Sequence, residues 1–401
     1  MKFLRNTLDK FKHDFEKGGK WERFYYIYEA FDTFAFAPNV TTQPKGAHIR
    51  DGNDMKRLMM TVIISMVPAL LFGIYNVGHQ HFLAIGEDAE WLDKVLIGLQ
   101  QVLPVIVVSY AAGLGIEFLF ATLRRHPVNE GFLVTGMLIP LVMPPDIPLW
   151  QVAVATIFAV LIGKEAFGGT GMNIVNIALT ARAFLYFAYP VNMSGDVWTY
   201  VPEGAKTVEG WSGATPLSIS ATVATTGENA VAALDKFGSN WGADGIYHFN
   251  NLFLGFMPGS VGETSTLMCL IGALILVVTG TGSWKIIVSV FAGAYAMGLF
   301  LNAVGGNAYV MLPAHYHLVI GGLAFGAVWM ATDPVTASQT ETGKWIYGVL
   351  IGILTVLIRV FNPAYPEGIM LAILLMNVFA PLIDYFVVNA NKKRRLQRAT
   401  V

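Results

Sequence analysis

Residues 57–76 read RLMMTVIISMVPALLFGIYN, an almost continuously apolar run about long enough to cross the hydrocarbon core of a bilayer as one helix. The chain of 401 residues is 54% hydrophobic and only 13% charged, which excludes a globular protein with a water-facing surface. Further apolar stretches lie at 95–122, 130–144, 149–165, 173–189, 263–280, 284–302, 315–331, 345–361 and 367–388. The sequence therefore predicts an all-α polytopic membrane protein with about ten transmembrane helices.

A weak internal repeat divides these stretches into two groups, at 57–189 and 263–388. Trp150 and Asn176 in the first group have counterparts Trp345 and Asn377 in the second. Because an odd number of crossings inverts the second group, we expect two inverted five-helix repeats with a site near their interface. The stretches at 130–144 and 173–189 are short and adjoin glycine or proline clusters, which predicts broken half-helices packed inside protein.

Most of the cations near the predicted helix ends lie on one side of the predicted membrane. The formal net charge is only −1, so no overall attraction to nucleic acid is expected. If residues 1–56 form a cytoplasmic tail, this larger set of cations falls on that side too, as the positive-inside rule requires. They are Arg124, Arg125, Lys164, Lys285, Lys344 and those of the basic tail at 389–401. Both termini are therefore expected in the cytoplasm, and the polar segment 190–262 on the outer face.

The N-terminal tail is aromatic between Trp21 and Phe36, and it shows no removable signal peptide. This composition predicts an interfacial helix at headgroup depth, and a lid over a ligand pocket is the functional alternative. The single cysteine, Cys269, excludes an internal disulfide and an iron–sulfur cluster held by this chain alone. An electron carrier on this chain would therefore be organic.

Segment 190–262 contains Ser212-Gly213-Ala214-Thr215-Pro216, which predicts a stiff turn that presents a threonine hydroxyl. Gly213 permits a tight turn, and Pro216 fixes the backbone just after Thr215. Such a hydroxyl is accessible to covalent modification, although a string of small residues is also typical of an ordinary turn.

A glycine-rich stretch at 163–176, GKEAFGGTGMNIVN, precedes the fifth apolar segment. Gly169 and Gly171 would let backbone amides approach a planar or anionic ligand. Asn173 and Asn176 would share one face of the following helix and hydrogen-bond the edge of a heteroaromatic ring. A glycine turn whose asparagines satisfy freed backbone groups explains the stretch equally well.

Three further polar residues lie at or in the apolar segments. Ser260 and Thr264 open the sixth segment, where helix capping is favoured over a binding site for a phosphate. Arg182 lies inside the fifth segment and is a functional candidate by default, although pairing with backbone carbonyls would also hold it there.

Carboxylates also lie close to the predicted helix ends, at Glu130, Asp333 and Asp384. Their oxygen atoms are hard ligands that suit Na⁺. Helix caps, or ion pairs with Arg124, Arg125 or Lys392, explain each of them about equally well.

The motif around Thr215 and the glycine–asparagine stretch together resemble the NqrB/RnfD family, the flavin-carrying membrane proteins of the Na⁺-translocating NADH:quinone reductases and of the Rnf complexes. The resemblance covers essentially the whole chain, except that the family usually has proline where this chain has Ile177. It implies FMN joined to Thr215 by a phosphoester, placed there by a flavin transferase that recognises the Ser212–Thr215 motif. It also implies noncovalent riboflavin near 168–176 and cation uptake at Glu130, Asp333 and Asp384.

The resemblance further implies a subunit of a six-subunit redox complex in the bacterial inner membrane. Electrons would pass from FMN through riboflavin to ubiquinone or menaquinone, coupled to Na⁺ export. NADH would bind another subunit, because this chain has no Gly-x-Gly-x-x-Gly fingerprint between a strand and a helix. The alternatives are the Rnf protein, which the long basic tail disfavours, and a flavin-free secondary transporter or channel, which would carry no flavin on Thr215.

Overall fold

The computed structural model describes residues 2–16, 18–36, 55–128, 131–362 and 365–399. Over these residues the chain is helical and has no β-strand, which confirms the predicted all-α class. The helices before segment 190–262 are α1 (Lys2–Phe15), α2 (Tyr25–Ala35), α3 (Met55–Ile85), α4 (Trp91–Arg124), α5 (Gly131–Leu141), α6 (Leu149–Gly163) and α7 (Ile177–Ala188). Those that follow are α8 (Pro216–Thr226), α9 (Ala230–Lys236), α10 (Phe249–Leu254), α11 (Thr266–Val278), α12 (Trp284–Val304), α13 (Tyr316–Val319), α14 (Leu323–Phe325), α15 (Glu341–Phe361) and α16 (Ile369–Ala399).

Each predicted apolar stretch coincides with helical structure. Within the described part of the chain, six helices are long and apolar enough to cross a membrane, namely α3, α4, α6 with its following turn, α12, α15 and α16. Helices α5, α7 and α11 are apolar but shorter, which confirms the half-helices predicted at 130–144 and 173–189. The stretch at 315–331 is broken into α13, α14 and a π-helical turn, Gly326–Met330. The protein is thus a multi-pass membrane protein with broken helices in both halves.

Glycines cause the break between α13 and α14. Gly321 has a φ of +68°, a conformation that L side chains rarely adopt. A Cβ on Gly322 would lie 2.6 Å from a Glu367 oxygen and 2.8 Å from the Glu263 carboxyl carbon. The backbone therefore bends where two acidic side chains approach it closely.

One packing arrangement occurs in both halves, although the five-segment repeat itself stays a prediction. In the first half, α6 packs on α4 and α7, and in the second α15 packs on α12 and α16. The equivalent asparagines meet at the interface between the halves. The Asn377 amide lies 2.7 Å from the Tyr347 hydroxyl, and its other polar atom lies 3.0 Å from the backbone nitrogen of Asn176.

Contacts between connecting segments define two ends of the helix bundle. At one end, Arg124, the last residue of α4, pairs with Glu165 after α6 at 3.0 Å. Lys164 after α6 and Asp333 before α15 line one cavity there. At the other end, Gly262 donates to the carbonyl of Leu141, the last residue of α5, at 2.8 Å. We call these the basic end and the Thr215 end. Successive helices alternate between them, as the charge pattern predicts.

Two helices extend beyond the predicted apolar stretches, and the polar segment 190–262 is partly helical. Helix α3 continues to Ile85 rather than 76, because the polar side chains beyond 76 are buried against segment 190–262, where the His81 ring nitrogen lies 2.9 Å from the Tyr200 carbonyl oxygen. Helix α16 continues to Ala399, so most of the tail predicted at 389–401 extends the last helix. Segment 190–262 contains α8, α9 and α10 rather than a plain loop, packed around the buried side chains of Leu234, Tyr247 and Leu252.

The aromatic tail forms a helical hairpin. The hydroxyl of Tyr28 in α2 donates to the Leu8 carbonyl in α1 at 3.1 Å, and its ring stacks on Phe15. Phe31 contacts Phe118 of α4, near the basic end of the bundle. The helix predicted between Trp21 and Phe36 is therefore present, and its depth in the headgroup region stays a prediction.

Candidate functional site

Thr215 is the N-cap of α8. Its side-chain oxygen accepts a hydrogen bond from the backbone nitrogen of Ser218 at 3.3 Å, and Pro216 occupies the first helical position. The Ser212 hydroxyl oxygen accepts from the nitrogen of Ala214 at 3.3 Å, which closes the turn before the helix. The sequence motif therefore encodes a capped helix start as well as a presented hydroxyl.

The turn before Thr215 is held firmly. Tyr247, a core residue of this segment, donates its hydroxyl to the Ala214 carbonyl at 2.6 Å. Gly213 is buried, and a Cβ there would lie 3.1 to 3.2 Å from Trp211 and Asp196. Only glycine fits without displacing these neighbours. Packing therefore favours glycine at this position of the motif.

Thr215 lines a cavity of about 340 Å³, which we call the outer cavity. It lies between α8, the second half of α7 and the segments before α11 and α16. Aromatic side chains of Trp198, Tyr186 and Tyr365 contribute to its walls, as do Pro258 and Gly259. This volume lies within the range of about 300 to 1,000 Å³ that is typical of small-molecule sites.

Arg182 is buried in the wall of the outer cavity and paired with two carboxylates. Its guanidinium contacts Glu263 at 2.6 Å and also pairs with Glu367. The same group lies 3.4 Å from the Ser260 hydroxyl and over the Trp198 ring. The alternative that Arg182 pairs with backbone carbonyls is therefore wrong, because acidic side chains from the other half reach it.

Ser260 and Thr264 also line the outer cavity, but neither caps α11. The N-cap is Ser265, whose hydroxyl oxygen accepts from the nitrogen of Met268 at 3.3 Å. Ser260 accepts from Arg182, and the Thr264 hydroxyl lies 3.5 Å from the side-chain nitrogen of Asn76. The interpretation of these two residues as helix caps is wrong, because the helix begins one residue later than Thr264 would require.

A second, smaller cavity of about 100 Å³ lies at the basic end, and we call it the inner cavity. The glycine-rich stretch contributes Thr170, Gly171, Asn173 and Asn176 to its lining, and Asp333 faces them from the second half. Gly169 and Gly171 adopt φ angles of +99° and +87°, as the predicted tight turn requires. The structure thus places the asparagines and Asp333, predicted for different roles, in one site.

The asparagines do not share a helix face, which corrects the prediction. Helix α7 begins at Ile177, so both precede it. Asn176 is the N-cap and accepts from Leu179 at 3.2 Å, whereas Asn173 donates to the Val175 carbonyl at 3.2 Å. Ile177 occupies the first helical position, where the family's proline would lose no helical hydrogen bond by lacking an N–H. Isoleucine at 177 therefore leaves the start of α7 in place.

The three acids differ in their surroundings. Asp333 is half-buried, accepts from Val335 and the Thr336 hydroxyl at 3.1 Å each, and lies 3.5 Å from the Asn176 side-chain nitrogen. Asp384 accepts four hydrogen bonds from Ser338, Gln339 and Thr340, which supports a structural cap. Glu130 lies outside the described residues. Among those described, no group of three or more His, Cys, Asp or Glu residues is arranged to hold a metal ion.

Sequence reasoning did not assign roles to several charged residues near the two cavities. Glu263 and Glu367 line the outer cavity, Arg359 lies behind its wall, and Glu117 pairs with Lys164 beside the inner one. The available signal was the scarcity of charge, because a charge retained in an apolar chain needs a partner. The sequence did not indicate which acid pairs with which base, since the partners are far apart along the chain.

The residues of the outer cavity fit a flavin nucleotide. Its aromatic walls suit a planar ring, and the positive end of α8 at Thr215 suits a phosphate. The inner cavity has polar groups suited to riboflavin but is too small to enclose it. It would hold about three waters at roughly 30 Å³ each, which is the scale of a partly hydrated cation.

Several known proteins are similar to this chain over nearly its whole length. The sequence model of the NQR2, RnfD, RnfE family matches residues 42–393. The chain is 48% identical to the NqrB protein of the Na(+)-translocating NADH-quinone reductase of Ectopseudomonas mendocina, over 98% of this chain and 99% of that protein. It is 47% identical to the corresponding protein of Pseudomonas aeruginosa strain LESB58, with the same coverage. It is 48% identical to that of Chromohalobacter salexigens, over 98% and 96% of the two chains.

Proposed function

Because this chain belongs to the NQR2, RnfD, RnfE family, we propose that it is the membrane protein NqrB of a Na⁺-translocating NADH–quinone reductase. The names of its relatives favour the reductase over an Rnf complex. The complex is a redox-driven Na⁺ pump, and this chain works in it with further membrane and peripheral subunits. Its place is the bacterial inner membrane, with the basic end and both termini on the cytoplasmic side.

The observation that carries the proposal is the position of Thr215 in the wall of the outer cavity. FMN, when bound there, supplies reversible electron transfer through its ring. Thr215 holds the phosphate at the start of α8, and the aromatic walls orient the ring and exclude water. A flavin transferase acting on the outer side of the membrane reaches the hydroxyl, because Thr215 is only partly buried.

The mass of the intact isolated subunit tests this assignment. We expect the mass of the polypeptide plus one FMN less one water, and flavin fluorescence that persists after denaturation. A subunit with the unmodified mass would contradict the proposal and favour the flavin-free transporter or channel.

The inner cavity is the place at which we propose that Na⁺ enters from the basic end. Asn176 and Arg182 are six residues apart on one helical segment, a separation of about 9 Å along the axis. The two cavities are therefore close enough to interact. One electron added to a flavin in the outer cavity would change the binding energy of a cation in the inner cavity by about 2 kcal/mol, at an effective dielectric constant near 20. Moving one charge against 100 mV requires about 2.3 kcal/mol, which is comparable.

We predict that Asp333→Asn raises the Na⁺ concentration for half-maximal quinone reduction several-fold, because it removes the acidic oxygen of the inner cavity. The measurement is a Na⁺ titration at saturating NADH, with bound FMN quantified in parallel. Asp384→Asn is the matched control, because its carboxylate is occupied by the four hydrogen bonds near α15. Equal Na⁺ dependence in the wild type and Asp333→Asn would exclude Asp333 from the entry.

We also predict that Asn173→Leu and Asn176→Leu lower the content of noncovalent riboflavin, because each removes a hydrogen bond worth about 1 kcal/mol. Since the inner cavity does not enclose a flavin, we propose that the ring lies at its exposed lining residues, which include Gly171 and Val335. Riboflavin released from each purified variant is quantified beside its Na⁺ dependence. Unchanged riboflavin with an altered Na⁺ dependence would assign both asparagines to the cation.

A further inference from the structure

Four charged side chains form a continuous network along one wall of the outer cavity. Arg182 joins Glu263 and Glu367, and Glu367 accepts through its backbone carbonyl from the Arg359 Nε at 2.9 Å. Arg359 also donates from Nη1 to the His317 carbonyl at 2.6 Å. The network ties α7 of the first half to α13, α15 and the start of α16 in the second.

Arg359 lies behind the cavity wall rather than in it. Its side chain is completely buried, whereas Arg182, Glu263 and Glu367 line the cavity itself. A Cβ on Gly321 would lie 3.3 Å from Arg359 Nη2, and Gly321 lines the cavity. Gly321 therefore adjoins both the cavity and the Arg359 guanidinium, and it has no side chain to increase their separation.

The charges balance only when Arg359 is included. With both carboxyl groups ionised, the lining residues carry one positive and two negative charges, a net charge of −1 beside the proposed phosphate site. Arg359 brings the network to zero, and in a medium of low dielectric constant its charge is screened far less than at a surface. A negative charge that appears in the cavity is therefore stabilised by Arg359 and destabilised by the two carboxylates.

We propose that Arg359 is a positioning residue that sets the reduction potential of the flavin in the outer cavity, with Glu263 acting in the opposite direction. This inference rests on the proposed attachment of FMN to Thr215. An electron that enters the flavin from a reduced partner subunit without a proton adds one negative charge. The Arg359 charge favours that step, because the guanidinium is buried behind Gly321 and solvent screens its charge only weakly.

The test is a dithionite titration of the covalent flavin in the purified complex, followed by absorbance against redox dyes. Arg359→Met removes a positive charge, and we expect the equilibrium for adding one electron to fall about tenfold, a potential lower by about 59 mV. Glu263→Gln keeps an acceptor for Arg182 and removes a negative charge, so we expect a shift of similar size upward. Arg359→Lys keeps the charge and should restore most of the wild-type potential.

Opposite shifts in the two neutralising variants support the inference, because general loosening of the site would move both in one direction. Unchanged potentials, or shifts of the same sign, overturn it while leaving FMN on Thr215 intact. If the complex does not assemble with Arg359→Met, the Glu263→Gln variant tests the proposal alone. A flavin potential in Glu263→Gln that is unchanged or lower than in the wild type contradicts the proposal. Absence of covalent flavin from the wild-type subunit overturns the proposed function, and this inference with it.

Discussion

Thr215→Ala is expected to abolish covalent flavin completely, because the threonine oxygen is the atom proposed to form the phosphoester. Thr215→Ser keeps an oxygen on a less restricted side chain and should be partly modified. The same oxygen caps α8, so loss of the cap costs about 1 kcal/mol in addition. Covalent flavin is measured by fluorescence of the denatured subunit and by its intact mass.

Two matched variants separate loss of the hydroxyl from loss of the helix cap. Thr222→Ala removes a threonine hydroxyl from the exposed side of α8, where it donates only to the Ser218 carbonyl. Asn229→Ala removes the side-chain cap of the neighbouring helix α9. Both should retain FMN. FMN mass on Thr215→Ala would refute the assignment of Thr215, and its loss from both controls would indicate that the segment simply unfolds.

Arg182→Leu is expected to destabilise the protein by about 3 to 5 kcal/mol, because it leaves the carboxylates of Glu263 and Glu367 buried without their cation. Both carboxylates lie beside Gly322, so they also repel each other. The free energy of unfolding is measured by SDS titration of the purified subunit, followed by tryptophan fluorescence. Lys12→Leu is the comparison, since the exposed pair with Glu16 should contribute about 1 kcal/mol or less.

A second substitution distinguishes charge from packing in this prediction. Adding Glu263→Gln to Arg182→Leu removes one of the two stranded charges, so part of the lost stability should return. If the double variant is no more stable than Arg182→Leu, the cost arises from lost packing of the arginine side chain. In that case the network contributes little through its charge.

The sequence by itself determined the all-α membrane class, the place of each apolar helical segment and the motif around Thr215. These features depend on local composition, because an apolar run of fixed length, a proline after a threonine or a glycine at positive φ acts within a few residues. The broken helices at 130–144 and 173–189 were predictable for the same reason. Helix ends were less well predicted, because the polar end of α3 is buried by residues more than a hundred positions away, such as Tyr200.

The tertiary structure alone decided which charges meet and which residues share a cavity. Arg182 reaches Glu367 across 185 residues of sequence, and Asn176 reaches Asp333 across 157. No local pattern specifies such pairs, because they form only when the two halves pack against each other and exclude water. The same packing places Arg359 behind Gly321, where its charge acts on the outer cavity without lining it.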